Sequence, residues 1–317
     1  MCNPELSIIV CTHNRGPSLT GVLDNLKSQV IDENDSRWEL VLVDNNSNDG
    51  TRELIERQIG RVNFSIKYMF ESQQGKSFAL NTGIESSTGH LLAFTDDDVI
   101  LDAHWISSVF RAFRTYPTIN CFGGKVLPIL KTKLPSWLKD RGRYAIGGGP
   151  LVKHDRGDKP KEYDQGMWVP AGCNMFFRKA LVQKHGKFSC ELGFLNKNEL
   201  ICGEDTEIMF RFKRNGERIL YYPGALIFHP APAERLRKSY FRRYCWGAGR
   251  GEARWRQVPA NCRRILNIPR YLIRSALWDI MRLLGSAFIS KEYKRVFFEF
   301  SLLSKLGMIY EYYINGD

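Results

Sequence analysis

The stretch HLLAFTDDDVI, residues 90–100, sets an apolar run against three consecutive carboxylates. Leu91, Leu92, Ala93 and Phe94 are apolar without alternation, the pattern of a strand buried on both faces. Asp96, Asp97 and Asp98 then put three like charges at its carboxyl end. They repel one another, and a buried carboxylate is costly without a partner. Two explanations fit the residues alone. One is a solvated acidic turn. The other is a pair of alternate carboxylates aimed at one divalent cation, Mg²⁺ or Mn²⁺, which prefers oxygen donors.

Three similar runs precede this one: LSIIVCT (6–12), WELVLVDN (38–45) and IKYMFE (66–71). Each is followed by apolar residues at the three- and four-residue spacing of a helix face. These are Leu19, Val22, Leu23 and Leu26, then Leu54, Ile55 and Ile59, then the segment GKSFALNTGIES (75–86). Trp105, Ile106, Val109, Phe110 and Phe113 continue the pattern after the aspartates. Repeated strand–helix units with near-continuous apolar strands predict an α/β fold, a mostly parallel sheet with helices on both faces. In such sheets ligands bind beyond the carboxyl ends of the strands. The polar segments THNR, DNNSNDGT, SQQGK and DDD all fall there.

Beyond residue 115 the pattern changes. Residues 138–166 are rich in glycine and charge, with little periodicity, and predict a mobile loop of the kind that serves as a lid. GEDTEIMF (203–210) reads as a helix start with Glu204 and Asp205 in its first turn and Ile208, Met209 and Phe212 on its inner stripe. A carboxylate there is either a helix cap or a general base. His229 ends the apolar run ALIFHP, as a core histidine or as a ligand. Gly75-Lys76-Ser77 lacks the earlier glycine of a phosphate loop, since Phe70 stands in that place.

The chain carries a net charge of +12, concentrated toward its end. From residue 231 onward there are 17 Lys and Arg against 7 Asp and Glu. Such a segment suits anionic lipid, nucleic acid or polyphosphate, or is simply a solvated basic face. RYLIRSALWDIMRLLGSAF (270–288) puts Leu272, Ala276, Leu277, Ile280 and Leu284 on one face of a basic helix, for packing or for a membrane surface. RKSYFRRYCWGAGRGEARW (237–255), rich in arginine and aromatics, suits a diphosphate or another anionic ligand. The eight cysteines include no C-x-x-C pair, which disfavours zinc and predicts free thiols in a reducing compartment. The strand-like run at residue 6 predicts no signal peptide, and the lack of a run of about 18 apolar residues predicts no ordinary transmembrane helix.

Taken in order, SIIVCTHNR, VLVDNNSNDGT, GKSFALNTGI, LLAFTDDDV, AGCNMFFR and GEDTEIMFR resemble a family 2 glycosyltransferase of the GT-A fold over roughly the first 230 residues. The resemblance implies a nucleotide-sugar donor, a divalent metal and inversion at the anomeric carbon. It implies that Thr12, Asn14 and Arg15 meet the nucleotide, Asp44 and Asn46 read base and ribose, and Lys76 and Asn81 flank the base. Asp96 and Asp98 become the outer members of a D-x-D motif, with Asp98 on the metal, Asp96 facing ribose and metal, and Asp97 in place of the commoner small residue. Asp205 becomes the catalytic base with Glu204 beside it, and His229 an additional metal ligand.

The organisation expected is therefore a catalytic domain at 1–230 and a basic, aromatic-rich helical region at 231–317. Within the former, 1–115 is the nucleotide half and 116–230 the acceptor half. The expected activity is transfer from a nucleotide-sugar, UDP-sugar favoured, to a glycan or lipid-linked glycan in surface polysaccharide synthesis. The cofactor is Mn²⁺ or Mg²⁺. The location is cytoplasmic at the inner face of the membrane, with peripheral contact through residues 266–317 and no nucleic acid. The rivals are a nucleotidyltransferase, whose Gly-rich first loop is missing from THNRGPS, and a nucleic-acid-binding protein using the basic tail, for which no aromatic–basic RNA motif is present.

Overall fold

Strands form where the apolar runs lie. In chain order the elements are β1 (Leu6–Thr12), α1 (Gly16–Lys27), β2 (Trp38–Asp44), α2 (Thr51–Gln58), β3 (Ser65–Phe70), α3 (Lys76–Ser86), β4 (Leu91–Asp96), β5 (Ile100–Leu101), α4 (Trp105–Thr115) and β6 (Cys121–Leu130). They continue as β7 (Lys161–Glu162), β8 (Met175–Arg178), α5 (Ala180–His185), β9 (Gly193–Asn196), β10 (Glu199–Ile201), α6 (Glu204–Arg214) and β11 (Ile219–Ala231). Last come α7 (Lys238–Trp255), β12 (Arg264–Ile265), β13 (Ile268–Pro269), α8 (Arg270–Ile289) and α9 (Glu292–Ile314). The computed structural model describes residues 4–32, 35, 37–146, 148–164, 168–196, 199–289 and 291–315. Residues 147, 165 and 166 of the glycine-rich segment, and 290, 316 and 317 of the tail, lie outside them.

The chain falls into two compact units. The first comprises Met1–Ile129, His154–Cys190 and Glu204–Pro230, and the second Leu130–Lys153, Glu191–Gly203 and Ala231–Asp317. The first is built on a sheet in the order β3-β2-β1-β4-β8-β6-β11-β5, with β7 on β11. The four strands predicted from strand–helix alternation pair in parallel. β8 then joins β4 and β6 antiparallel. β2 is buried at every residue, whereas β3, at the edge, is only half buried.

Register brings the polar ends together. Thr12 lies opposite Asp44, Cys11 opposite Asp96, and Asp44 opposite Phe70. Leu19, Val22, Leu23 and Leu26 of α1 are buried, as are Trp105, Ile106, Val109, Phe110 and Phe113 of α4 and Ile208, Met209 and Phe212 of α6. Ile59 departs from the expected face: it follows α2 as its C-cap, in extended backbone, and is 44% exposed. α3 sits directly on the sheet, because a Cβ at Gly83 would come within 2.6 Å of the Ile9 side chain.

The second unit has its own core. Trp137 meets Phe241 and Phe300 edge to face, with Leu138, Leu151 and Leu236 around them. Thus part of the glycine-rich segment supplies core residues. α7 and α9 touch backbone to backbone: a Cβ at Gly249 would lie 1.9 Å from the Ser304 carbonyl oxygen, and one at Gly307 2.3 Å from that of Trp246. The buried Glu311 carboxylate accepts from Arg250 at 2.7 Å and Arg254 at 2.6 Å. Arg242 pairs with Glu299. Three arginines of the segment expected to face a diphosphate are therefore in ion pairs inside this unit. The tail helix splits its predicted face: Leu272 and Ala276 are buried, while Leu277, Ile280 and Leu284 are exposed. The described cysteines are free thiols. Among the described residues no helix is long and apolar enough to cross a membrane.

In the first unit, Glu217 ties α5 to the turn after α6. It accepts from His185 Nε2 at 2.8 Å, Lys184 Nζ at 2.9 Å and Asn120 Nδ2 at 3.2 Å. Burial opposes its charge, but the hydrogen bonds from His185, Lys184 and Asn120 prevail and hold its pKa down, from 4.5 to about 2. A depressed carboxyl contributes stability that is present above its ordinary pKa and is lost as pH falls through the folded value. Glu217→Gln should therefore destabilise the protein by about 1.5–3 kcal/mol at pH 7, the worth of a hydrogen bond to a charged group. The gap from wild type should close between pH 4.5 and about 2; denaturant melts across that range would show a constant gap if the carboxylate were irrelevant.

Candidate active site

At the end of β4 the three aspartates separate by alternation. Asp97 turns inward, is buried, and accepts from Thr12 Oγ1 at 2.7 Å and Arg15 Nη1 at 3.0 Å. Burial nevertheless raises its pKa, against the pull of Arg15 and Thr12. Asp96 and Asp98 turn the other way, toward His229 on β11. His229 Nε2 lies 4.0 Å from Asp96 Oδ2 and 3.5 Å from Asp98 Oδ1. One ligand atom from each of Asp96, Asp98 and His229 falls within 4.8 Å of the others, the one such group among the described residues. Two carboxylate oxygens and one imidazole nitrogen fit a divalent ion, and the nitrogen suits Mn²⁺ better than Mg²⁺.

Positive charge is supplied from two helix starts. Lys76, the first residue of α3, donates to Asp96 at 2.9 Å and lies 3.9 Å from Glu204. Burial works against its ammonium, but Asp96 and then Glu204 more than offset this, and its pKa stands well above the usual lysine value. Asp96 is in turn held below the usual carboxylate range: burial opposes ionisation and Lys76 overcomes it. Arg15, just before α1, bonds Asp98 Oδ2 at 2.9 Å as well as Asp97.

The β1–α1 and β2–α2 loops are laced together beside this cluster. Asp44 accepts from the Ser47 amide at 3.0 Å and from Tyr68 Oη at 3.1 Å. The Asn14 amide donates to Ser47 Oγ at 2.9 Å, and Asn14 Oδ1 accepts from the Asn48 amide at 2.8 Å. Asn14 and Asn46 both have positive φ, 52° and 62°, a backbone state asparagine tolerates better than most residues. Asn46 is exposed at the loop's edge. Asn81 is used elsewhere: its amide exchanges two hydrogen bonds with the Phe188 backbone, at 2.9 and 3.0 Å.

The helix α6 opens with the remaining carboxylates. Asp205 Oδ2 accepts from the Gly172 amide at 2.8 Å, and Oδ1 from the Thr206 amide at 2.7 Å and Thr206 Oγ1 at 3.2 Å. A carboxylate offers about four acceptor directions, so one remains. Glu204 is buried, and burial, then the charge of Asp205, raise its pKa to about 7.

Several supporting residues lie in or beside the quoted motifs but are not singled out by them. Asn45, buried, donates to the carbonyls of Glu71 and Gln73 and accepts from the Gly75 amide, which fixes the entry to α3. His13 lies between the Asn45 carbonyl at 2.8 Å and Gln74 at 3.0 Å. Gly172 could have been suspected from AGCN: a Cβ there would sit 2.8 Å from Asp205 Oδ2. Asn174, wholly buried, joins Trp105 Nε1 to the carbonyls of Lys125 and Ala225.

Comparison with known proteins bears on this geometry. The family model "Glycosyl transferase family 2" matches residues 7–186, and "Glycosyl transferase family group 2" matches 161–310. The chain is 27% identical to "Glycosyltransferase AglE" of Haloferax volcanii, over 85% of this chain and 80% of that one. It is 24% identical to "Succinoglycan biosynthesis protein ExoM" of Rhizobium meliloti, over 79% and 74%. Among solved structures it resembles mannosyltransferase PcManGT from Pyrobaculum calidifontis, in complex with GDP-Man and Mn²⁺, with a TM-score of 0.59 at 16% identity, over 98% of this chain and 86% of that one. The sheet with its flanking helices has the GT-A form expected from the sequence.

If Asp96, Asp98 and His229 hold a cation, Asp98→Asn or His229→Gln should weaken Mn²⁺ binding by at least roughly 10–100-fold, the range for losing even an outer-shell partner. Electron paramagnetic resonance titration with Mn²⁺ and a nucleoside diphosphate reads this directly, with circular dichroism confirming the fold. Unchanged affinity in both variants would reject the site. Gly172→Ala should displace Asp205 and lower turnover while leaving Mn²⁺ affinity as it was; equal loss of both would place Gly172 at the cation instead.

Proposed function

The chain belongs to glycosyl transferase family 2, and on that premise we propose that it is a metal-dependent, inverting enzyme that transfers a sugar from a nucleoside-diphosphate donor to a glycan or lipid-linked glycan. The observation that carries this reading is one cluster: Asp96, Asp98 and His229 within ligand reach of one another, with Lys76 between Asp96 and Glu204.

The donor lies across the carboxyl ends of β1, β2 and β4, aligned by register. Asp44 and Asn46 face base and ribose; Thr12, Asn14 and Arg15 shape the adjoining wall; Asp97 braces that wall through Thr12 and Arg15. Asn81 acts at one remove, by fixing the Phe188 backbone against α3. Asp96, Asp98 and His229 would hold a divalent cation, which supplies charge neutralisation of the donor diphosphate when bound. Lys76 and Arg15 add fixed positive charge beside it, where negative charge grows on the leaving oxygen as the sugar–phosphate bond breaks.

Asp205 takes the proton from the acceptor hydroxyl while that oxygen bonds to the anomeric carbon from the face opposite the leaving diphosphate. Its Oδ2 is oriented by the Gly172 amide, so the carboxylate is aimed before the acceptor arrives. Glu204 positions Lys76 and sets the local charge. The succinoglycan-synthesis relative supports an acceptor of the surface-polysaccharide class. Work at the inner face of the cell membrane, with residues 266–317 toward the lipid, accords with the basic tail.

Asp205→Asn keeps size and hydrogen bonding but cannot accept the proton. Turnover should fall by about 10²–10⁴-fold with donor affinity unchanged, and Glu204→Gln should lose less. Calorimetry for the donor and a product assay separate the two effects. Near-normal turnover in Asp205→Asn would move the base elsewhere. A thermal-shift screen should find a UDP-sugar that stabilises the protein only with Mn²⁺, by about 2.7 kcal/mol at a hundredfold excess over Kd. Stabilisation by GDP-sugars alone would change the base, and by none would reject the donor class.

A further inference from the structure

Within the second unit, α8 has two unlike faces. Leu272, Ala276 and Asp279, four and three residues apart, are buried at 3–5% exposure, and Asp279 pairs with Lys305. On the other side Leu277, Trp278, Met281 and Leu284 are 53–63% exposed. Beside the first turn, Arg263, Arg270 and Arg274 line a cleft of about 630 Å³ together with Ile265, Tyr271 and Leu277. No carboxylate is among its lining residues. The β12–β13 hairpin projects at this end, and its tip residue Leu266 is 71% exposed in left-handed backbone at φ 49°.

Residues 256–289 hold six arginines and one acidic residue, the buried Asp279. A surface that is apolar and cationic, with no carboxylate lining its cleft, complements a ligand that is anionic at one end and apolar beyond it. A second copy of the chain is a poor occupant, because a two-fold interface sets the same patch against itself and would bring arginine to arginine. A small anion would leave the exposed apolar row in water. The apolar exposure of α8 is confined to one face, and no helix among the described residues is long and apolar enough to cross a bilayer, so this face would lie on a membrane rather than pass through it.

We propose that the exposed face of α8 and the β12–β13 hairpin form a docking surface for anionic phospholipid membranes. A lipid phosphate sits among Arg263, Arg270 and Arg274. Leu266, Leu277, Trp278, Met281 and Leu284 enter the boundary between headgroups and acyl chains. This gives the membrane contact read from the basic tail a site and a lipid class. It is independent of the transfer chemistry, since the donor-binding measurements contain no lipid.

The test is cosedimentation of the full-length protein with vesicles of phosphatidylcholine alone or mixed with phosphatidylglycerol. Wild type should bind the anionic vesicles much more tightly, and added salt should weaken that binding. Arg270→Ala/Arg274→Ala should reduce binding to anionic vesicles by about 30-fold, the combined worth of two surface arginines. Trp278→Ser/Leu284→Ser should reduce binding to both vesicle types. All four positions are exposed, and melting curves would verify folding. Wild-type binding that is absent, or no stronger on anionic vesicles, overturns the proposal whatever the variants do. So does a wild-type dimer in light scattering that Trp278→Ser/Leu284→Ser dissolves, because the face would then be an interface between copies.

Discussion

The Lys76–Asp96 ion pair, 2.9 Å long and half-buried where β4 ends, ties the start of α3 to the cluster of carboxylates at the edge of the sheet. Three adjacent carboxylates are tolerated there because each has a different pair of neighbours. Asp97 has Thr12 and Arg15, Asp98 has Arg15 and His229, and Asp96 has Lys76 and His229. Those partners come from the ends of β1 and β11 and the start of α3, so the charge cluster holds three separate stretches of chain to one place. The glycine-led entry to α3, fixed by Asn45, is part of the same constraint. Lys76 reaches its position because the Gly75 amide is held from the β2 side.

The parallel half of the sheet was legible because each of its strands is a local apolar run followed by a local helical period. The sequence singles out the aspartates, the Glu204–Asp205 pair and His229 as candidates, but bringing His229 to the aspartates depends on β11 lying where no local pattern could place it. Of the antiparallel strands, β6 and β11 are interrupted by glycine and proline and β8 is only four residues long, and their neighbours in the sheet are far apart in sequence. Asn81 illustrates the limit: a motif placed it on α3, but its amide is occupied by the Phe188 backbone 107 residues away. Asn45 and Gly172 were hidden for the opposite reason. Asn45 bonds the backbone of Glu71, Gln73 and Gly75 through its side-chain amide, and Gly172 acts through its own backbone amide.

The second unit was legible as helical and basic, but not as a body. Residues 130–153 and 191–203 join it from within the earlier chain. The aromatic contacts of Trp137 with Phe241 and Phe300 span more than a hundred residues and leave no periodic trace. The basic charge likewise divides in a way composition conceals. Arg250 and Arg254 share Glu311 in the interior, whereas Arg263, Arg270 and Arg274 line an open cleft.

The backbone contact between α7 and α9 has a mechanical meaning. Helices usually meet through a layer of side chains, whose rotamers let one slide slightly against the other. At Gly249 and Gly307 that layer is missing, and carbonyl oxygens of each helix stand where a methyl group would be. The pair can then neither slip by a fraction of a turn nor absorb a push by repacking. A displacement applied along α9 would therefore reach α7 through backbone atoms rather than through side-chain rotamers.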